Sequence, residues 1–310
     1  MPLTLPGRIV RPEYTRFRDY EIELAQLGQG QWSAFRALDI DLNELQQIAR
    51  EWGRQLEHVE RPWLCWNVDS DWCLVQQKLV REAGWTPLVG FDPRVGPPAR
   101  VLPEAVVFDF NGSLCLPLLY PHFPLEFAYL FASKIAFWHS DLLVRRDKIH
   151  GLARIFESLA DGSTAACRTD PGLRYRYLPW RQRYWELVGC TTRSASRDQF
   201  EKGCGWWMAY WAHPHQTRSE AVRRWRYWDH GAGIWHWQKH AGGDVVMLDA
   251  ATYAEGHFTK IGKKDYVGAR EPNGSDARRN MSEELVRNFD LGRACESLGL
   301  SDLLEGRSAP

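Results

Sequence analysis

The sequence has no Cys-x-x-Cys pair, and its seven cysteines are odd in number and widely spaced. This usage is typical of buried free thiols in a reducing compartment rather than of a disulfide framework or a zinc ribbon. The N-terminal stretch has no basic segment followed by an apolar core, so we predict no signal peptide. We therefore expect a cytoplasmic protein.

Long apolar runs are also scarce. The stretch 110–125 has no Asp, Glu, Lys or Arg, but three prolines interrupt it, and it is too short to span a bilayer. The sequence therefore predicts no transmembrane segment, and it leaves peripheral membrane contact through this stretch open.

An excess of charge of either sign is missing as well. The 39 basic residues balance the 39 acidic ones, so we expect no attraction of the whole chain to nucleic acid or to anionic membranes. The motifs G-x-x-x-x-G-K-[ST], G-x-G-x-x-G and G-x-S-x-G do not occur. This argues against a P-loop NTPase, a typical Rossmann dehydrogenase and an α/β-hydrolase.

Tryptophan is abundant, with 16 residues, and most of these indoles must lie in a core or line a binding face. Apolar runs and helical patterns alternate between residues 61 and 169. We predict strands at "RPWLCWNVD", "TPLVGFD", "AVVFDF", "IAFW" and "STAACRT", with helices between most of them. This alternation predicts an α/β fold with a mainly parallel central sheet flanked by helices.

Acidic residues follow two of the predicted strands, Asp69 after "WLCWNV" and Asp141 after "IAFWHS". In open α/β sheets, ligands bind at the carboxyl ends of the strands. A carboxylate there can hold a divalent cation that bridges nucleotide phosphates, or it can accept a hydrogen bond from a ribose or a base. Either acid can equally cap the helix that follows, and the residues alone leave both interpretations open.

This order of elements resembles that of the GT-A-fold glycosyltransferases, which use nucleotide-sugar donors. In that family a strand ends in a D-x-D motif that binds metal and diphosphate. The stretch "FWHSDLLV" is similar to it, with His139, Ser140 and Asp141 in the three places, although His replaces the first Asp. The family often has a further metal-binding His after the last strands, and His257 in "AEGHFTK" follows the predicted strand "DVVMLD". The resemblance covers about residues 61–264.

The resemblance implies a Rossmann-related fold and sugar transfer to an unknown acceptor hydroxyl, with Mn²⁺ or Mg²⁺ as the cofactor. By this resemblance the metal ligands are Asp141 and His257, and Asp229 is the base that removes the acceptor proton. Paired Trp206 and Trp207 would stack on an acceptor sugar. The donor would contact Trp66, Asn67, Asp69, His139 and Lys260.

The same interpretation divides the chain into four parts. Residues 1–60 form an N-terminal helical segment, and residues 61–170 form the α/β part that binds the nucleotide sugar. Residues 171–267 form the acceptor-binding part of the same domain. Residues 268–310 are a linker and C-terminal helices.

Two other functions remain open. The segment 174–185, "RYRYLPWRQRYW", interleaves four arginines with aromatic residues, which is the composition of a nucleic-acid stacking surface. With the two acids at strand ends, this would suit a nucleic-acid-binding protein or a metal-dependent nuclease. A non-catalytic module that binds a carbohydrate or a protein is the third possibility.

Overall fold

A computed structural model describes residues 50–91, 96–110, 133–168, 184–201, 206, 231–257 and 291–304. Within these ranges the chain forms one seven-stranded sheet with helices packed against it. The strands are β1 (Pro62–Asn67), β2 (Thr86–Phe91), β3 (Val106–Val107), β4 (Lys134–Trp138), β5 (Ser163–Arg168), β6 (Trp185–Thr192) and β7 (Asp244–Asp249). The helices are α1 (Ser70–Glu82), α2 (Arg146–Ser158), α3 (Arg193–Glu201), α4 (Ala232–His240) and α5 (Leu291–Leu298).

The strand order is β3-β2-β1-β4-β6-β5-β7. Strand β6 runs antiparallel to its neighbours β4 and β5, and the other neighbouring pairs are parallel. The α/β class and the mainly parallel sheet are therefore confirmed. Strands β1 and β4 are parallel neighbours, so their carboxyl ends lie at the same edge of the sheet.

Strand β1 lies in the centre of the sheet and is apolar along most of its length. All six of its residues are buried, as expected for a parallel strand that is covered on both faces. Trp63 is fully buried, and its ring lies 5.5 Å from that of Trp85, 5.2 Å from Trp138 and 5.1 Å from Phe156. Four tryptophans thus pack in the core between the sheet, α1 and α2, namely Trp63, Trp72, Trp85 and Trp138.

Several details differ from the sequence-based prediction. Strand β3 has only two residues, and neither β6 nor α3 was predicted.

The two ends of the described chain agree with the prediction. Residues 50–56 are helical with Trp52 and Leu56 buried, as expected for the N-terminal helical segment. Helix α5 and the 3₁₀ turn Ser301–Leu304 confirm a helical C-terminal part within the described residues. Strands β6 and β7 join the same sheet as β1–β5.

In the described part of the chain, none of the helices combines the length and the apolar character that a membrane span requires.

The indole core leads to a stability prediction. Trp63→Ala removes a fully buried ring that packs on three other aromatic rings, so we expect the free energy of unfolding to fall by about 3–5 kcal/mol. The control is Met247→Ala on β7, where the side chain is 63% exposed; it should change stability by no more than about 0.5 kcal/mol. Urea denaturation measures the free energy of unfolding of both variants. An equal loss of free energy in the two variants would contradict the prediction.

Candidate metal centre

The loop after β4 carries two of the predicted site residues. The backbone N–H of His139 donates to Leu187 O on β6 at 2.9 Å, and Leu142 N–H donates back to His139 O at 3.1 Å. This turn places His139 and Asp141 side by side. Helix α2 begins only at Arg146, and its N-cap, Arg145, makes no side-chain capping bond. Asp141 is therefore not the helix cap that the sequence alone left possible.

A buried glutamine fixes this loop from below. Gln76 on α1 is fully buried, and its Nε2 donates to His139 O at 2.9 Å and to Leu142 O at 2.8 Å. Buried carbonyl groups without such partners would be costly. Gln76 thus ties the first helix to both ends of the turn that presents His139 and Asp141.

The third residue, His257, comes from the chain segment beyond β7. An antiparallel bridge pairs it with Leu142, and Leu143 N–H donates to Gly256 O at 3.0 Å. A Cβ atom at residue 256 would overlap the carbonyl oxygen of Leu143. Glycine is therefore required at position 256 for its backbone to approach the β4 loop closely enough to deliver His257.

Three potential ligand atoms converge as a result. His257 Nε2 lies 2.9 Å from Asp141 Oδ1 and 3.2 Å from His139 Nδ1, and His139 Nδ1 lies 3.6 Å from Asp141 Oδ1. Asp141 is 6% exposed, whereas the two imidazoles are each about one third exposed. This group of two imidazole nitrogens and one carboxylate oxygen could hold a metal ion.

The electrostatics of the group favour an ionised carboxylate. Burial by itself would raise the pKa of Asp141, because it removes the charged form from water. The favourable interactions with the imidazoles of His139 and His257, which lie 3.6 Å and 2.9 Å from Asp141 Oδ1, outweigh this effect and hold the pKa of Asp141 well below its usual range. Asp141 is therefore an anion at neutral pH and is ready to bind a cation.

The other predicted donor-site residues near β1 have structural partners. Asp69 is the N-cap of α1 and accepts from Trp72 N–H at 2.9 Å, which is the capping role that the sequence left open for it. Trp66 is 2% exposed. Asn67 is fully buried and donates through Nδ2 to Gly96 O at 2.8 Å. Its Oδ1 is buried without a hydrogen-bond partner in the described part of the chain.

The predicted acceptor residues have a different outcome. Trp206 is 2% exposed, and its ring packs edge-on against Phe137 at 5.0 Å. Stacking on a sugar needs an exposed ring face, so this position corresponds to core packing instead. Trp207, Asp229 and Lys260 lie outside the described residues, and their roles stay predictions.

Gln76 was not among the residues predicted for the site. The sequence pattern does indicate that it is buried, because the apolar face of α1 repeats at Trp72, Val75 and Leu79 and residue 76 falls on the same face. A glutamine among buried apolar residues must find hydrogen-bond partners, and these are the carbonyl groups of the site loop.

No protein-family model, no curated protein and no solved structure matches this chain.

The close approach at Gly256 leads to a second prediction. Gly256→Ala should push His257 away from Asp141, cost about 1–3 kcal/mol of stability and weaken Mn²⁺ binding at least tenfold. Gly151→Ala on α2, where a Cβ has open space, is the matched control; it should stabilise the protein by about 0.5–1 kcal/mol and leave Mn²⁺ binding unchanged. Calorimetric titration and thermal melting measure both quantities. Unchanged Mn²⁺ affinity in Gly256→Ala would contradict the role given to this backbone contact.

The position of Gln76 leads to a third prediction. Gln76→Met keeps the length of the side chain but removes both donors, so we expect a loss of about 2–4 kcal/mol and weaker Mn²⁺ binding. Gln77→Met is the matched control on the same helix, because Gln77 is also buried but accepts from Leu102 N–H at 3.0 Å, away from the site loop. It should lose stability and keep its Mn²⁺ affinity. Equal affinity losses in the two variants would show that helix stability alone matters.

Proposed function

We propose that this protein is a divalent-metal-dependent glycosyltransferase that moves a sugar from a nucleotide-sugar donor to an acceptor hydroxyl. The observation that supports the proposal is the convergence of His139, Asp141 and His257 immediately after β4. The resemblance in sequence implied a metal-binding acid after a strand and a late His, separated by more than a hundred residues. In the folded chain, Asp141 Oδ1 and His257 Nε2 lie 2.9 Å apart.

The position of the group in the sheet also supports a nucleotide ligand. The ends of β1 and β4 are adjacent, and open α/β sheets bind ligands outside the carboxyl ends of their strands. Asn67 ends β1 with an acceptor oxygen that lacks a partner among the described residues. That oxygen is buried and does not itself reach the surface, so the support comes from the neighbouring group at the end of β4, which suits the phosphates of a nucleotide.

Each side chain has a definite task in this proposal. Asp141 supplies a permanently ionised ligand, and His139 and His257 supply neutral imidazole nitrogens when they are not protonated. A bound divalent cation would neutralise the charge that develops on the leaving nucleoside diphosphate. Gln76 and Gly256 keep the ligands in place from two sides. Removal of the acceptor proton by Asp229 stays a prediction from the resemblance.

The proposal leads to a fourth prediction. Uridine or guanosine diphosphate with Mn²⁺ should raise the melting temperature of the wild-type protein, because a ligand at a hundred times its dissociation constant stabilises the folded state by about 2.7 kcal/mol. Asp141→Asn keeps the shape of the side chain but removes its charge. It should abolish this shift and lower nucleotide-sugar hydrolysis and transfer at least 100-fold.

The control for this experiment is Asp147→Asn, since Asp147 is an exposed acid in the first turn of α2. It should behave as the wild type does. A shift with single-stranded oligonucleotides and metal, but not with nucleoside diphosphates, would replace sugar transfer by the nuclease alternative. Wild-type turnover in Asp141→Asn would remove Asp141 from the mechanism.

A further inference from the structure

The ligand set at this site differs from the pair of acids in a D-x-D motif. We propose that this site, with two imidazoles and one carboxylate, selects a nitrogen-preferring transition-metal ion over Mg²⁺, in the order Co²⁺, then Mn²⁺, then Mg²⁺. This inference rests on the proposed metal site and deepens it, because it names the class of ion that the three ligands prefer.

The distances among the three atoms are those expected around one ion. Ligand atoms bound at about 2.1 Å lie about 3.0 Å apart when they are cis in an octahedron and about 3.4 Å apart in a tetrahedron. The three observed distances are 2.9, 3.2 and 3.6 Å. Opposite octahedral ligands would be about 4.2 Å apart at the same bond length. The three side chains therefore occupy a single face of the coordination shell, and among the described residues no further ligand group of this kind lies on the opposite side.

The backbone holds the imidazole of His139 in this orientation. Its N–H is bonded to Leu187 on β6, and its C=O is bonded to the buried amide of Gln76. The ring then turns Nδ1 towards the other two ligand atoms. His139 Nδ1 and His257 Nε2 lie 3.2 Å apart, next to the Asp141 carboxylate oxygen. One shared cation could accept an electron pair from each of these three atoms.

The chemistry of the donors determines the preference. Mg²⁺ prefers oxygen ligands and releases water reluctantly, whereas imidazole suits later first-row metals. The affinity of such a site rises from Mn²⁺ to Co²⁺. With two imidazoles and one carboxylate, the three described side chains give Mg²⁺ a single favourable ligand.

The charge of the set has a second effect. Asp141 is the single carboxylate in the group, so a bound divalent ion keeps a net charge of +1. Two carboxylates would cancel that charge. The remaining positive charge attracts an anionic ligand such as a diphosphate, and little water separates the two in a partly buried site.

The test is a competition titration of Mg²⁺, Mn²⁺ and Co²⁺ without nucleotide, on full-length protein that has no polyhistidine tag. Visible absorption of bound Co²⁺ reports its coordination number and geometry, and the titration gives its affinity. We expect wild-type protein to bind Co²⁺ at least 100-fold more tightly than Mg²⁺. His139→Asp should narrow this ratio at least tenfold, by weakening Co²⁺ binding and strengthening Mg²⁺ binding. His58→Asp, an exposed His in the turn after residues 50–56, should leave the ratio unchanged.

The results separate this inference from the proposed function. Wild-type affinities for Co²⁺ and Mg²⁺ within tenfold of each other would overturn the inference, and this comparison needs no variant. An unchanged ratio in a folded His139→Asp protein would remove His139 from the coordination shell. The expected metal order without any binding of nucleoside diphosphates would support the metal centre and reject sugar transfer. Nucleotide-sugar turnover that is equally fast with Mg²⁺ and Co²⁺ at matched low concentrations would reject the selectivity and keep the transferase.

Discussion

A carboxylate can be buried only if other groups stabilise its charge, and the site of this protein is organised around that requirement. Asp141 is 6% exposed at the end of a central strand, and two imidazoles lie beside it. Bringing them there requires a tight turn after β4, a buried amide beneath the turn and a glycine in the segment that carries the second imidazole. Each of these features costs conformational freedom or desolvation. Their combination at one point supports the proposed metal site.

Ion pairs at the surface connect the C-terminal part of the described chain to the elements around the site. Arg146 bonds to Glu82 at 2.8 Å and to Asp302 at 2.5 Å, so it links α1, α2 and the last 3₁₀ turn. Arg145 bonds to Glu255, two residues before His257, and to the carbonyl of Ser297 on α5. Exposed ion pairs of this kind are individually weak. The bonds of Arg145 connect the segment after β7 and helix α5 to the end of the β4 loop, so α5 is part of the scaffold of the site.

Local patterns in the sequence were sufficient for the parts of the structure that depend on neighbouring residues. The buried strand β1 and the amphipathic helix α1 follow from residue periodicity, and the polar residues after β4 pointed to Asp141. Strand β6 was missed because its place between β4 and β5 depends on pairings across the sheet, which "WELVGCTT" does not reveal locally. Trp206 was predicted to bind sugar because a sequence does not distinguish a buried indole from an exposed one. The closeness of His139 to His257 likewise depends on tertiary packing.

The separation of the ligands along the chain has a consequence for folding. Asp141 and His257 are 116 residues apart, and β5, β6 and β7 lie between them in the sequence. Contacts of such long range form late, because a large loop must close before they provide any stabilisation. On the ribosome, the β4 loop leaves the exit tunnel well before its partner imidazole has been synthesised. The completed three-residue group is thus a property of the finished sheet, and a cation that binds it stabilises the native state over every partly folded intermediate.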